Sequence, residues 1–221
     1  MSVVEGLLNA KQDAMVAVVD KDEPGGHLPD RVCIPSKLLV YPAEVLRQVE
    51  EAEKHGIKVD IRGVDFQEIM ERMRSIVSTE SKEIGKSLQE SESVDYYRET
   101  ASFTGPYTMK VDDQEITADM IVLSPGSKPR VPDIQGLDSV SFLTTDTLLG
   151  LEELPGSLII LGGGYVAAEC GHFFSAMGSE VTILGRNPQF LPMEEPEVSA
   201  VAKQKMSEKM SVTTSRRVPV S

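Results

Sequence analysis

The sequence predicts an α/β fold with a small antiparallel piece inserted, and three observations carry that reading. The apolar run Leu158-Ile159-Ile160-Leu161 is followed at once by Gly162-Gly163-Gly164 and a helix-forming stretch to Met177. A second apolar run, Met15 to Val19, also follows a helical stretch. Between them, from Val94 to Thr117, short strand-like segments are separated by turn residues. Short continuous apolar runs bounded by breakers suit buried parallel strands, whereas short segments joined by tight turns suit an antiparallel meander.

The elements follow in order. Ser2 to Asp13 places Val3, Val4, Leu7 and Leu8 at helical spacing and leads into the strand Met15–Val19, which Asp20 closes before the break at Pro24-Gly25-Gly26. A second helix is expected from about Ser36 to His55, with Leu39, Leu46, Val49 and Ala52 near one face and Gly56 as its C′ residue. Asp65-Phe66-Gln67-Glu68 has the spacing of a capping box and opens a long polar helix through Ile69, Met73, Ile76, Ile84 and Leu88. The meander is expected to take in Tyr96, Tyr97 and Phe103, then Tyr107 to Val111, the turn pair Asp112-Asp113, and Glu115 to Thr117. Met120-Ile121-Val122-Leu123 reads as another buried strand, ending in Ser124-Pro125-Gly126, and Lys128 to Gly136 as a connection. After the helix that stops at Gly178 come the strand Val181 to Leu184, a Pro-rich loop and a helix from about Pro196 to Met210.

Composition narrows the function. The 221 residues carry 22 Lys+Arg against 35 Asp+Glu, a formal net charge of −13. Such an acidic chain repels phosphate backbones, and no segment supplies the basic patch that nucleic-acid binding needs. No apolar run approaches the roughly 20 residues of a membrane helix, and no basic-then-apolar signal segment follows Met1. A cytoplasmic protein without membrane or nucleic-acid partners is the expectation. Two cysteines, Cys33 and Cys170, cannot build a disulfide scaffold, and no metal site is expected.

Gly162-Gly163-Gly164-Tyr165-Val166-Ala167 fits the pattern G-x-G-x-x-A. Dinucleotide binding needs a tight turn at the first glycine, close backbone approach to a pyrophosphate at the second, and a small residue at the third for helix–strand packing. The helix N-terminus then offers unpaired N–H groups and partial positive charge. Strand, turn, helix and second strand stand in the required order, which favours a dinucleotide site over a turn that merely packs. Where an acid at the end of the second strand would favour NAD, this chain has Gly185-Arg186. Arg186 could pair with a 2′-phosphate, which leans toward NADP(H), or it could be a solvent-exposed arginine.

Val16 to Asp20 aligns with Val181 to Gly185 at an offset of 165 residues, each strand preceded by a helix. At that offset the counterparts of Gly162 and Gly164 fall before Met1. The expectation is therefore two nested Rossmann-like units, the first lacking its opening strand and glycine turn. Asp20 is then the ribose-binding acid of the first unit or a strand-end turn aspartate.

Cys33 lies in Val32-Cys33-Ile34-Pro35-Ser36-Lys37. A helix start and a lysine one turn later both stabilise negative charge on sulfur, so Cys33 is a candidate reactive thiol, though an inert buried cysteine is the ordinary case. Taken in order, Asp20, Gly25-Gly26, Cys33-Ile34-Pro35-Ser36-Lys37, Thr145-Asp146, Leu151 to Pro155 and Gly162 to Glu169 resemble the flavoprotein disulfide reductases, a family that includes dihydrolipoyl dehydrogenase, mercuric reductase and the glutathione and mycothione reductases. The resemblance runs from the first helix to about Val212.

The resemblance implies FAD and NAD or NADP as cofactors, with electrons passing from nicotinamide through flavin to a disulfide formed by two cysteines five positions apart. It implies that Cys33 is the flavin-proximal cysteine, that Lys37 lies beside flavin N5 with Glu169 as its partner, and that Tyr165 is an aromatic gate that moves aside for nicotinamide. Cofactor contacts would come from Asp20, Gly25, Gly26, Lys37, Gly126 and Asp146 for the flavin, and from Gly162, Gly164, Ala167 and Arg186 for the nicotinamide nucleotide. A lipoyl-type or other small disulfide substrate and a homodimer are implied for the intact enzyme. Residues 1–150 would then be a partial FAD-binding domain and 151–221 a partial NAD(P)-binding domain.

The chain also departs from that pattern. The position five before Cys33 is Leu28, so the partner thiol is missing, and the usual Ala-Thr-Gly reads Ser124-Pro125-Gly126. Without a second thiol there is no intramolecular disulfide to exchange with a substrate. The family's His-Glu acid/base pair has no counterpart before Ser221, and His55 and His172 read as structural. The expected function is a flavin-dependent NAD(P)H oxidoreductase of the dihydrolipoyl dehydrogenase type. A monothiol flavoprotein or a non-catalytic nucleotide-binding remnant is the alternative.

Overall fold

The computed structural model describes residues 2–11, 13–25 and 33–215; Gly26 and Leu28 lie outside them. The chain forms two compact units. The first comprises residues 1–35 and 74–148, the second 36–73 and 149–221, so two long helices run from one unit into the other.

In the first unit, α1 (Ser2–Ala10) leads to β1 (Val16–Val19), which pairs in parallel with β2 (Val94–Tyr97), Val16 opposite Val94 and Val19 opposite Tyr97. Strands β3 (Ala101–Gly105), β4 (Thr108–Val111) and β5 (Gln114–Thr117) make an antiparallel meander. Tyr107 and Asp112 take the left-handed turn conformation between its strands. Tyr96 and Tyr97 thus do not belong to the meander. Their strand emerges from a helix, and a strand returning from a helical crossover docks alongside its predecessor in parallel.

Helix α2 (Cys33–Glu51) passes into a 3₁₀ turn at Ala52–His55, which Gly56 ends in the left-handed conformation. Cys33 is the first residue of α2 rather than a residue before it. Helix α3 (Phe66–Glu90) begins where the Asp65 side chain accepts the Glu68 N–H at 2.9 Å, the N-cap bond that the Asp-x-x-Glu spacing anticipates.

The run Met120–Leu123 departs from expectation. It forms no strand, and Met120 and Leu123 are each about two-thirds exposed. A strand is stable only where a neighbour satisfies its N–H and C=O groups, and among the described residues none lies alongside this run. A one-turn helix, α4 (Thr145–Leu148), ends the unit.

The second unit holds β6 (Ser157–Leu161), α5 (Tyr165–Met177), β7 (Glu180–Gly185), α6 (Pro196–Ser207) and β8 (Ser211–Thr214). The strands form a parallel sheet in the order β6-β7-β8. Strand β8, which the sequence pattern did not single out, is the four-residue segment Ser211-Val212-Thr213-Thr214, three of its residues β-branched and the run too short to stand out in the sequence. Gly178, in the left-handed conformation, ends α5 by bonding the Phe174 carbonyl. The core is aromatic: Phe173 and Phe174 meet edge to face at 5.1 Å, Phe66 tilts against both, and all three are buried with Ile183 and Phe190. No helix among the described residues is long and apolar enough to cross a membrane.

Candidate functional site

The glycine turn sits at the carboxyl end of β6, where parallel α/β sheets place their ligands. Gly162 has φ +144°, a conformation side chains rarely adopt, and its N–H bonds the Leu184 carbonyl at 2.9 Å, joining the turn to β7. A Cβ on Gly163 would lie 3.5 Å from Gly185 Cα and 3.7 Å from the Phe190 ring, and one on Gly185 would press Thr214 at 3.3 Å. The two glycines therefore let turn and strand close together. Gly164 is the N-cap of α5, has no side-chain cap, and would point a Cβ into open space.

The first intrahelical bond at this end runs from the Ala168 N–H to the Gly164 carbonyl, which leaves the amides of Tyr165, Val166 and Ala167 without an intrahelical acceptor. Ala167 is buried beneath the turn. An uncapped helix start, an open position at its second glycine and a buried small residue suit a dinucleotide pyrophosphate, whose anionic oxygens could accept from those amides.

Two further features belong to this unit. Lys37 on α2 forms an ion pair with Glu169 on α5, joining residues 132 apart in sequence. Lys37 is largely exposed, so the pair contributes little to stability. The Tyr165 hydroxyl donates to the Glu194 carboxylate, and that acceptor pushes the phenol up from its ordinary range. Glu194 carries no sequence signal, since this contact spans a loop of irregular structure. Arg186 is exposed immediately after β7.

Deeper in the same unit, Arg47 bonds Glu50 at 2.8 Å and the Ser175 hydroxyl at 3.2 Å. Its guanidinium holds the Glu50 carboxyl below the usual range, and Lys209 adds to this at 3.4 Å. Burial, followed by Arg47, pushes the half-buried His172 down, against a smaller opposing pull from Glu44. Burial, followed by the Glu169 charge, pushes the Cys170 thiol up to about 11. Held mostly protonated near neutral pH, the Cys170 thiol is a weak nucleophile.

The remaining predicted residues lie in the first unit. Cys33 is exposed at the start of α2, one helical turn before Lys37 on the same helix. Asp20 accepts the Asp22 N–H at 3.1 Å, the geometry of a turn aspartate. Gly25 (φ +121°) and Gly126 (φ +70°) both need glycine's freedom. Pro24 accepts the buried Ser81 hydroxyl at 2.6 Å, and Arg98 pairs with Glu23, which fixes the segment after β1. Asp146 is exposed on α4. Among the described residues no cluster of His, Cys, Asp and Glu could hold a metal ion.

With this mixed α/β architecture and a glycine turn of this geometry, the fold is that of the flavoprotein disulfide reductases. It superimposes on the HOCl-induced flavoprotein disulfide reductase RclA from Escherichia coli, in its Cu(II) complex, with a TM-score of 0.80 at 27% identity, covering 96% of this chain and 46% of that one. The family model described as pyridine nucleotide-disulphide oxidoreductase matches residues 3–220, and the chain belongs to that family. Curated relatives include a mercuric reductase of Staphylococcus aureus, 31% identical over 88% of this chain and 36% of the relative. A dihydrolipoyl dehydrogenase of Chlorobaculum parvum is 32% identical over 95% of this chain and 45% of the relative. The chain thus spans between a third and a half of the length of these relatives.

Proposed function

We propose that this chain carries the nicotinamide-nucleotide side and the flavin-proximal cysteine of an NAD(P)H-dependent flavoprotein oxidoreductase of the dihydrolipoyl dehydrogenase type. The observation that supports it best is the glycine turn at 162–164, because its open position at Gly164 and its uncapped amides serve no packing purpose. In this reading the amides of residues 165–167 hold the nucleotide pyrophosphate. Arg186 pairs with the 2′-phosphate of NADPH, and Tyr165 covers the nicotinamide position and moves aside for it. The Glu169 carboxylate fixes the Lys37 ammonium, whose positive charge favours electron density arriving nearby. A flavin, when bound, supplies the hydride acceptor for nicotinamide and passes electrons on to sulfur. Cys33 is the thiol that meets them, and Asp20, Gly25, Gly26, Gly126 and Asp146 are the flavin contacts. A small disulfide of lipoyl type, a homodimeric whole protein, and FAD- and NAD(P)-binding domains over residues 1–150 and 151–221 complete the proposal.

The test is NADPH binding followed by nucleotide fluorescence. Gly164→Val adds a side chain where nothing in the protein stands within 4 Å, so the fold should survive while phosphate approach is closed. Affinity should fall by roughly tenfold or more, as for loss of several charge-assisted bonds, with an unchanged circular dichroism spectrum. Indifference to this change rejects the site. Arg186→Ala should weaken NADPH and leave NADH binding unchanged.

Leu28 favours a second reading. With no thiol at that position, the chain could be a nucleotide-binding remnant without disulfide exchange. A purified chain that binds NADPH but stays colourless with added FAD supports the remnant. A yellow protein bleached by NADPH supports the flavoprotein.

A further inference from the structure

The loop between β7 and α6 is tied to the glycine turn at three points. The Leu191 N–H bonds the Gly163 carbonyl at 2.7 Å, with Leu191 held in the left-handed conformation at φ +48°. Phe190, fully buried, lays its ring against Gly163 and has its own carbonyl bonded by the buried Ser199 hydroxyl. The third tie is Tyr165 to Glu194. Glu194 is itself fixed through its backbone: its N–H bonds the Leu191 carbonyl at 2.9 Å, and its carbonyl accepts the Gln189 amide at 2.7 Å. The carboxylate is thus presented from a braced loop to a half-exposed aromatic ring on the first residue of the cofactor helix.

We propose that Glu194 is a positioning residue that pins Tyr165 by its hydroxyl, so that nucleotide entry must first break this bond. The inference rests on the proposed function, which gives Tyr165 its gating place. A pinned phenol has one preferred orientation over the turn, and the free-energy cost of releasing it is subtracted from nucleotide affinity. Removing either end of the pin should tighten binding, with no new contact to the nucleotide.

The variants separate this from simple charge effects. Tyr165→Phe deletes the hydroxyl and leaves every charge in place. Glu194→Ala deletes the acceptor and the charge. Glu194→Gln deletes the charge and keeps an acceptor oxygen. With a pin, Tyr165→Phe and Glu194→Ala, compared at 0.5 M salt to screen charge, should each tighten NADPH binding by roughly two- to tenfold, the range of one hydrogen bond. The double variant should gain no more than either single change, and Glu194→Gln should stay near wild type.

A ring-labelled tyrosine NMR titration, with the Tyr165 signal assigned by its loss in Tyr165→Phe, reads the pin without nucleotide. The Tyr165 midpoint should fall in Glu194→Ala while the other tyrosines stay put. Tightening in both Glu194 variants with none in Tyr165→Phe overturns the pin in favour of charge. NADPH binding that is unchanged in all variants overturns the gating, and an unmoved phenol titration overturns the contact itself. A wild-type chain that takes up no NADPH rejects the proposed function and the gating with it, while the titration still decides the pin.

Discussion

The two units are built from matching pieces, a helix leading into parallel strands, yet they bury very different amounts of what they carry. In the second unit β7 lies between two parallel neighbours and its own Ile183 is buried together with Phe173, Phe174 and Phe190. In the first, β2 is the partner that β1 has among the described residues, and the apolar Met120, Val122 and Leu123 remain largely exposed. Composition does not explain this, because within the second unit itself Ile159 and Leu161 of the edge strand β6 stay exposed while Val181 and Ile183 of the central strand β7 are buried. What differs is the number of strands available to pair, and burial of an apolar run in a sheet depends on neighbours at both edges.

Phe174→Ala breaks this contrast most severely. It removes a fully buried ring from the aromatic cluster and should cost about 3–5 kcal/mol, read as a lower urea midpoint at unchanged slope. The thiols give the next largest effect. Iodoacetamide at pH 8 should label exposed Cys33 on the order of a hundredfold faster than Cys170, which is half-buried and whose thiol is pushed up to about 11. Mass spectrometry of the native and the urea-unfolded chain separates the two. Equal labelling would mean that the second unit opens readily.

A smaller effect concerns pH. The folded His172 is held below its ordinary range, so the unfolded chain binds more protons, and the stability this group contributes is full above about pH 6.5 and lost as pH falls through the folded value. Glu50, also held low, acts in the same direction in the more acidic carboxylate window. His172→Gln should therefore flatten the decline in Tm between pH 7.5 and 5.5 while leaving the decline at lower pH. Smallest of all, Leu123→Ser should change stability by no more than about 0.5 kcal/mol, since it alters an exposed position. A larger loss would show that the run is covered in solution and would narrow the difference between the units.

The parts of the fold legible in the sequence were those governed by local chemistry. The Asp65 cap, the Gly56 and Gly178 stops, and the glycine turn each depend on a few adjacent residues. The pairings that depend on distant neighbours were not legible. Tyr96 and Tyr97 carry the same β-forming residues whether they pair in parallel with β1 or join the meander. Met120–Leu123 reads as a strand because nothing in its own residues tells whether a partner is beside it. The same holds at the site. Lys37 and Glu169 are paired across 132 residues, and family resemblance named that pair in advance. Nothing local announced that Glu194 would receive the Tyr165 hydroxyl.

Phe66 contacts Phe173 and Phe174 although more than a hundred residues separate them, and strands β2 to β5 of the first unit lie in the interval. Such a separation has a kinetic consequence. A core closed by its most distant contacts forms late, because the intervening chain must be brought round before the contact repays the lost entropy. During synthesis the Phe66 ring has no aromatic partner until α5 has emerged, and the exposed α2–α3 segment is then the part most in need of a chaperone. Residues 149–221 expressed alone would meet the complementary problem, with Phe173 and Phe174 uncovered from the outset.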